Sequence, residues 1–156
     1  NPKFIFSFPA YNLRNTEIGG VLGLSQLKRL DNNNEIRTRN LLRFLDCIDP
    51  QKFQTDFLIE GSSSYAFNLI QKHADDEFAL RLMSAMGSHE IEFRRGSAGG
   101  GNQLRQPYLL PYLSDPKSYK NYPNTEHIHF YGFYIGNFPD LSLADVDFIC
   151  DVLNSA

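Results

Sequence analysis

The chain has 156 residues, 42% hydrophobic and 21% charged, with a formal net charge of -3. That length supports one compact domain with a real core, and the balance argues against disorder and against a mainly electrostatic grip on nucleic acid. No apolar run approaches the roughly 20 residues needed to cross a bilayer, so a soluble globular domain is expected, with neither nucleic acid nor membrane as partner. Cys47 and Cys150 stand far apart without a second Cys or His at ligand spacing. The expectation is two buried thiols in a cytoplasmic protein, with no disulfide and no metal site.

In chain order, Asn1-Pro2-Lys3 carries neither an initiator methionine nor a signal-type architecture and runs into the strand-like Phe4-Ile5-Phe6-Ser7-Phe8, so the chain reads as entered midway. From Asn15 as a candidate N-cap, apolar residues at Ile18, Val21, Leu22, Leu24, Leu27 and Leu30 have the spacing of a helix with one buried stripe. Gly19, Gly20 and Gly23 interrupt it. Each should weaken an isolated helix by roughly 1 kcal/mol relative to alanine, which points to close approach by another backbone, such as a subunit interface. The polar run Asp31-Asn32-Asn33-Asn34 breaks the pattern. It resumes at Ile36, Leu41, Leu42, Phe44, Leu45 and Ile48 until Asp49-Pro50 stops it, predicting a long helix or a broken pair.

Beyond Pro50, Phe57-Leu58-Ile59 and residues 65–70 read as strands. Gly61-Ser62-Ser63-Ser64 reads as a strand-entry turn, since it has no nucleophile-elbow pattern and no assigned base. Asp75-Asp76-Glu77 sets acids at a helix N-terminus, ahead of Phe78, Leu80, Leu82, Met83 and Met86, with Gly87 as the stop. Residues 90–95 alternate like a strand, 96–107 form a glycine-rich loop, and 127–135 read as a long aromatic strand. A final helix covers roughly 142–153, with Ser142 as N-cap and Val146, Ile149, Val152 and Leu153 as its buried face. The sum is an α/β domain: a small sheet covered by helices after a long leading helix.

Two places hold chemistry-bearing side chains. In the loop, Gly99-Gly100-Gly101 permits close backbone approach while Arg95, Asn102, Arg105 and Gln106 supply donors for an anionic or hydroxylated ligand. It lacks the lysine and the strand-turn-helix context of a P-loop. His127 and His129, two apart, would share one face of a strand, a geometry that can ligate metal; no third ligand stands nearby, and packing beside Tyr131 and Phe133 is the simpler account. Arg14 and Glu17, three apart, can form a local ion pair.

The stretch Tyr11-Asn12-Leu13-Arg14-Asn15-Thr16-Glu17, followed by Gly23-Leu24-Ser25-Gln26-Leu27, resembles the hallmark of the DegT/StrS group of fold type I PLP enzymes. Their typical segment runs Gly-Tyr-Asn-x-Arg-Met-x-Glu; here Ala10 replaces the first glycine and Asn15 the methionine. Two later stretches, 92–107 with its Gly101-Asn102 and Gln106-Pro107 pairs and 129–137, are similar to the sugar 3-dehydratase branch.

The resemblance implies residues 1–14 as the tail of a large PLP-binding domain and 15–156 as the C-terminal small domain of a fold type I PLP-dependent transferase. It implies PLP or pyridoxamine phosphate (PMP) in a homodimeric parent, and a nucleotide-linked 4-keto-6-deoxy sugar as substrate, in deoxysugar or surface-polysaccharide synthesis. Asn12 matches the asparagine that reaches the PLP phosphate of the neighbouring subunit, a neutral amide donor suited to that contact. Arg95, Asn102, Arg105, Gln106 and His129 fall where the substrate would lie. No catalytic residue is expected in this chain, because the PLP-site lysine of aminotransferases, or the histidine of the dehydratase, would lie upstream. Three readings follow: a parent 3-dehydratase, a parent sugar aminotransferase, or a noncatalytic domain retaining dimerisation surfaces. The truncated reading also predicts exposed apolar surface and self-association.

Overall fold

The computed structural model describes residues 5–8, 10–11, 16–97 and 101–156. The elements are α1 (Glu17–Leu27), α2 (Leu30–Cys47), β1 (Ala66–Ile70), α3 (Asp76–Ser88), β2 (Phe93–Arg95), α4 (Pro123–Tyr131), β3 (Gly132–Gly136) and α5 (Leu143–Ser155), with short 3-10 turns between β2 and α4. The sheet has the order β1-β3-β2 and is antiparallel throughout. The last strand is therefore central, and Phe133 and Ile135 pair with Leu69 and Phe67 on one side and with Arg95 and Phe93 on the other.

Side-chain alternation sends Phe67, Leu69, Phe133 and Ile135 to one face of the sheet, where all four are buried. Helices α2, α3 and α5 cover that face with Leu41, Phe44, Leu82, Met86, Val146, Ile149 and Leu153. Phe44 stacks on Phe67 with ring centroids 4.5 Å apart and planes 5° from parallel. The helices start where their caps dictate. The Asp75 carboxylate accepts from Phe78 N at 2.9 Å, and Ser142 and Asp145 form a reciprocal capping box at α5. Asn154 of α5 ties off α2: its Nδ2 donates to Cys47 O at 2.9 Å while its Oδ1 accepts from Asp49 N at 2.8 Å.

Several sequence expectations hold, among them β1, α3 and the four-residue buried face of α5. Others need correction. Described residues 5–8 form no strand. Of the two alternatives for the leading helix the broken pair is found, but the break falls between Leu27 and Leu30, and the polar run 31–34 lies inside α2. Thr16 caps α1, its Oγ1 accepting from Gly19 N at 3.3 Å; Asn15 lies outside the described residues. The stripe on α1 is not buried by the described residues: Ile18, Val21 and Leu24 are each about 70% exposed. A Cβ on Gly20 or Gly23 would meet nothing within 4 Å, so no backbone among the described residues approaches those glycines.

Residues 57–59 form no strand, and Leu58 is exposed. The strand expected over 90–95 shrinks to Phe93–Arg95, with Glu90 in a turn at φ +57°. The long strand expected over 127–135 is a helix followed by a strand: α4 runs to Tyr131 and β3 begins at Gly132. Pro123 at the helix start favours α4 by pre-setting φ where no N–H is needed. The junction then needs glycine, because a Cβ on Gly132 would stand 2.6 Å from Ile128 O. Both cysteines are free; Cys150 is buried, Cys47 only partly. No helix among the described residues is long and apolar enough to cross a membrane.

Candidate functional site

The loop after β2 folds back against α4 because glycine permits it. Gly101 adopts φ +51°, and a Cβ there would fall 2.2 Å from His129 Nδ1. The glycine run was expected to admit a ligand; the described member, Gly101, admits the imidazole of its own chain, while residues 98–100 lie outside the described residues. With that contact made, Asn102 N donates to His129 Nδ1 at 3.0 Å. The imidazole accepts at Nδ1, so its proton sits on Nε2. Burial first, then the positive charge of Arg105, pushes the His129 pKa down, with Glu126 partly opposing.

Asn102 is 3% exposed, and both ends of its side chain are engaged: Oδ1 accepts from Leu104 N at 3.2 Å and Nδ2 donates to Glu126 Oε1 at 2.7 Å. Glu126 also receives Arg105 in a bidentate pair, Nε to Oε1 at 2.8 Å and Nη2 to Oε2. The guanidinium carbon of Arg105 lies 4.1 Å from the ring centre of Tyr119 and 5.0 Å from that of Phe130, a stacked arrangement that lysine would not reproduce. Arg105 holds the Glu126 carboxyl below its usual range, helped by Asn102 and opposed by burial; Glu126 in turn raises Arg105.

Four residues singled out by sequence thus converge. Arg95, at the end of β2, reaches the same neighbourhood by donating from Nη2 to Phe130 O at 3.1 Å; its Nε is buried without a hydrogen-bond partner among the described residues. Gln106 is 5% exposed and accepts from Phe6 N at 3.0 Å, tying the leading segment to the loop. Asn12 and Arg14 lie outside the described residues.

His127 does not join this group. On a helix, residues two apart are about 200° apart around the axis, and His127 Nε2 donates to Gln71 O at 2.6 Å. The shared histidine face is therefore absent, and no group of three metal-ligating side chains occurs among the described residues. Glu126, the hub of the network, was not singled out from the sequence, where it stands just before residues 127–135, which read as a strand. The available signal was an acid in the first turn of a helix opened by Pro123.

The arrangement offers hydrogen-bond donors, the Nη1 edge of Arg105 and His129 Nε2–H, with arginine charge exceeding carboxylate charge. That chemistry suits an oxyanion such as a phosphate. Lys52 and Lys72 are engaged elsewhere, donating to the carbonyls of Asn154 and Pro50. The described cluster supplies anion-binding groups and no amine that could carry an aldehyde cofactor. A groove of about 750 Å³ bounded by Tyr65, Phe93, Tyr134, Phe138 and Phe148 contains none of the candidate residues.

A three-stranded antiparallel sheet packed with helices in this order is the fold of part of the PLP-dependent sugar-modifying enzymes. The crystal structure of GDP-4-keto-6-deoxymannose-3-dehydratase with a trapped PLP-glutamate geminal diamine matches with a TM-score of 0.71 at 27% identity, over 97% of this chain and 39% of that one. A variant of that dehydratase with bound GDP-perosamine matches at 0.70 and 26% identity, over 96% and 38%. A Streptococcus pneumoniae protein assigned as a sugar aminotransferase, in its PMP form, matches at 0.66 over 94% and 36%; at 20% identity it shares the fold alone. By sequence, the chain is 29% identical over 152 residues to GDP-4-keto-6-deoxy-D-mannose 3-dehydratase of Escherichia coli O55:H7, covering 97% of this chain. It spans 38% of the length of that relative. No family model matches the chain.

Proposed function

We propose that this chain is the C-terminal portion of a PLP- or PMP-dependent enzyme that removes the 3-hydroxyl of a nucleotide-linked 4-keto-6-deoxy sugar. The observation that carries the reading is similarity to GDP-4-keto-6-deoxymannose 3-dehydratases in both sequence and fold over 97% of the chain. Residues 1–14 then belong to the end of a large cofactor domain and 15–156 to the small domain. The parent is a cytoplasmic homodimer in which Asn12 reaches the cofactor phosphate of the other subunit. Exposed apolar residues on α1 support an interface there.

In this reading the cofactor supplies the electron sink, and this chain's side chains bind and orient. Arg105 and Arg95 present guanidinium groups to the diphosphate, and His129 donates from Nε2 to a substrate oxygen. Asn102 and Gln106 shape the loop from buried positions rather than meeting ligand freely. Transamination is the second reading, and the residue that separates the two is the one at the cofactor aldehyde.

The test is to read the coding DNA upstream of Asn1 and to assay the encoded parent with PMP and GDP-4-keto-6-deoxymannose. An open frame with histidine at the cofactor position and loss of the 3-hydroxyl supports dehydration. Lysine there with amine transfer shifts the assignment to transamination, and a stop codon immediately upstream contradicts both.

A further inference from the structure

Arg105 and His129 are useful to a ligand only if they are held still, and one side chain stands behind both. Glu126 accepts from Nε and Nη2 of Arg105 and from Nδ2 of Asn102. The Asn102 backbone in turn donates to His129 Nδ1 at 3.0 Å. We propose that Glu126 is a positioning residue: it clamps Arg105 with its Nη1 edge outward and, through Asn102, holds His129 as the Nε2–H donor, building a rigid two-donor cradle for a doubly charged oxyanion.

The geometry leaves little freedom. A guanidinium has five N–H donors in a fixed plane, and the edge bearing Nε and Nη2 faces Glu126. Tyr119 and Phe130 fix the plane itself, at 4.1 and 5.0 Å from the guanidinium carbon. Rotation about the long Arg105 side chain is thus removed before any ligand arrives, which lowers the ordering cost of binding. Glu126 side-chain exposure is 18% and that of Arg105 is 31%, so the pair is partly shielded from water. On the imidazole, Nδ1 is occupied by the Asn102 N–H, leaving Nε2–H as the outward group.

The positioning is a property of this chain alone; its service to a ligand rests on the sugar-nucleotide reading. The test therefore has two arms. In ¹⁵N-labelled chain of 156 residues, NMR should show the Arg105 Nε–H resolved and protected from solvent exchange and His129 as the Nε2–H tautomer. In E126Q, the Arg105 signal should move to the position of solvent-exposed arginines and His129 should mix tautomers, with core methyl signals unchanged. An Nδ1–H tautomer or a freely exchanging Arg105 in the unsubstituted chain overturns the proposal, whether or not E126Q folds. In the parent enzyme, E126Q should raise KM for the GDP-sugar about tenfold, the loss of roughly one charge-assisted contact, with the cofactor absorbance unchanged, and E126D should recover part of it. Unchanged KM with a displaced Arg105 also overturns the proposal. A parent that accepts no sugar nucleotide defeats the functional reading instead, and the NMR arm then decides the positioning by itself.

Discussion

The backbone N–H of Asn102 donates to Nδ1 of His129 across 3.0 Å, joining the loop after β2 to α4 through an imidazole that must be neutral to accept it. Protonation at Nδ1 would replace the acceptor with a donor facing a donor. Because burial depresses the folded-state pKa of His129 below its ordinary value, the unfolded chain takes up the proton first as pH falls. The stabilisation is complete above about pH 6.5, the unperturbed histidine value, and is lost on descending through it toward the folded value. Glu126, also depressed, adds a loss of the same sign within the carboxylate range. Urea titrations across this interval should show the midpoint falling with pH, and H129Q, which keeps an acceptor for Asn102 without titrating, should flatten the upper part of the curve.

Gly101 makes the same junction possible. Its φ of +51° disfavours any other residue, and an added Cβ would lie 2.2 Å from His129 Nδ1 and 2.7 Å from Ser97 Cα. Gly101→Ala should destabilise the chain by roughly 1–3 kcal/mol through backbone strain and displacement of the ring. Gly20→Ala should do the opposite, since nothing lies within 4 Å of its Cβ position in the middle of α1 and alanine favours the helix by up to about 1 kcal/mol. Denaturation of the two variants beside the unsubstituted chain checks both signs.

Helix α1 presents Ile18, Val21, Leu22 and Leu24 to solvent at 58–71% exposure, an apolar face without a covering element among the described residues. Sedimentation velocity should show concentration-dependent association, and the double substitution Val21→Glu, Leu24→Glu should abolish it. The folding midpoint should move by less than the equivalent of about 0.5 kcal/mol, as is usual for surface changes. A monodisperse chain before substitution would show that this face is inert.

What the sequence disclosed divides by the range of the interactions involved. The acidic start of α3 at residues 75–77, the Ser142 cap and the buried face of α5 were readable because they are set within a few residues. Residues 127–135 misled because aromatic and β-branched enrichment looks alike on a strand and on a half-buried helix; Pro123, upstream of the window, carried the deciding information. The α1 stripe promised burial, but periodicity reveals that a face is apolar and not which chain covers it. At the candidate site, donors were recognisable one by one in Arg95, Asn102, Arg105 and His129. The convergence of Asn102 and Arg105 on Glu126, at least 21 residues away along the chain, and the seating of His129 against Asn102 required the fold.

Placement of the nucleotide diphosphate on this loop is decided by calorimetric titration of GDP into the parent enzyme, comparing Arg105 with Arg105→Met, which keeps the apolar stem and removes the fork. Affinity for GDP should weaken at least about tenfold in Arg105→Met, equivalent to about 1.4 kcal/mol, with cofactor absorbance unchanged. Equal affinity in the two proteins would contradict the assignment of this loop to the nucleotide-sugar site.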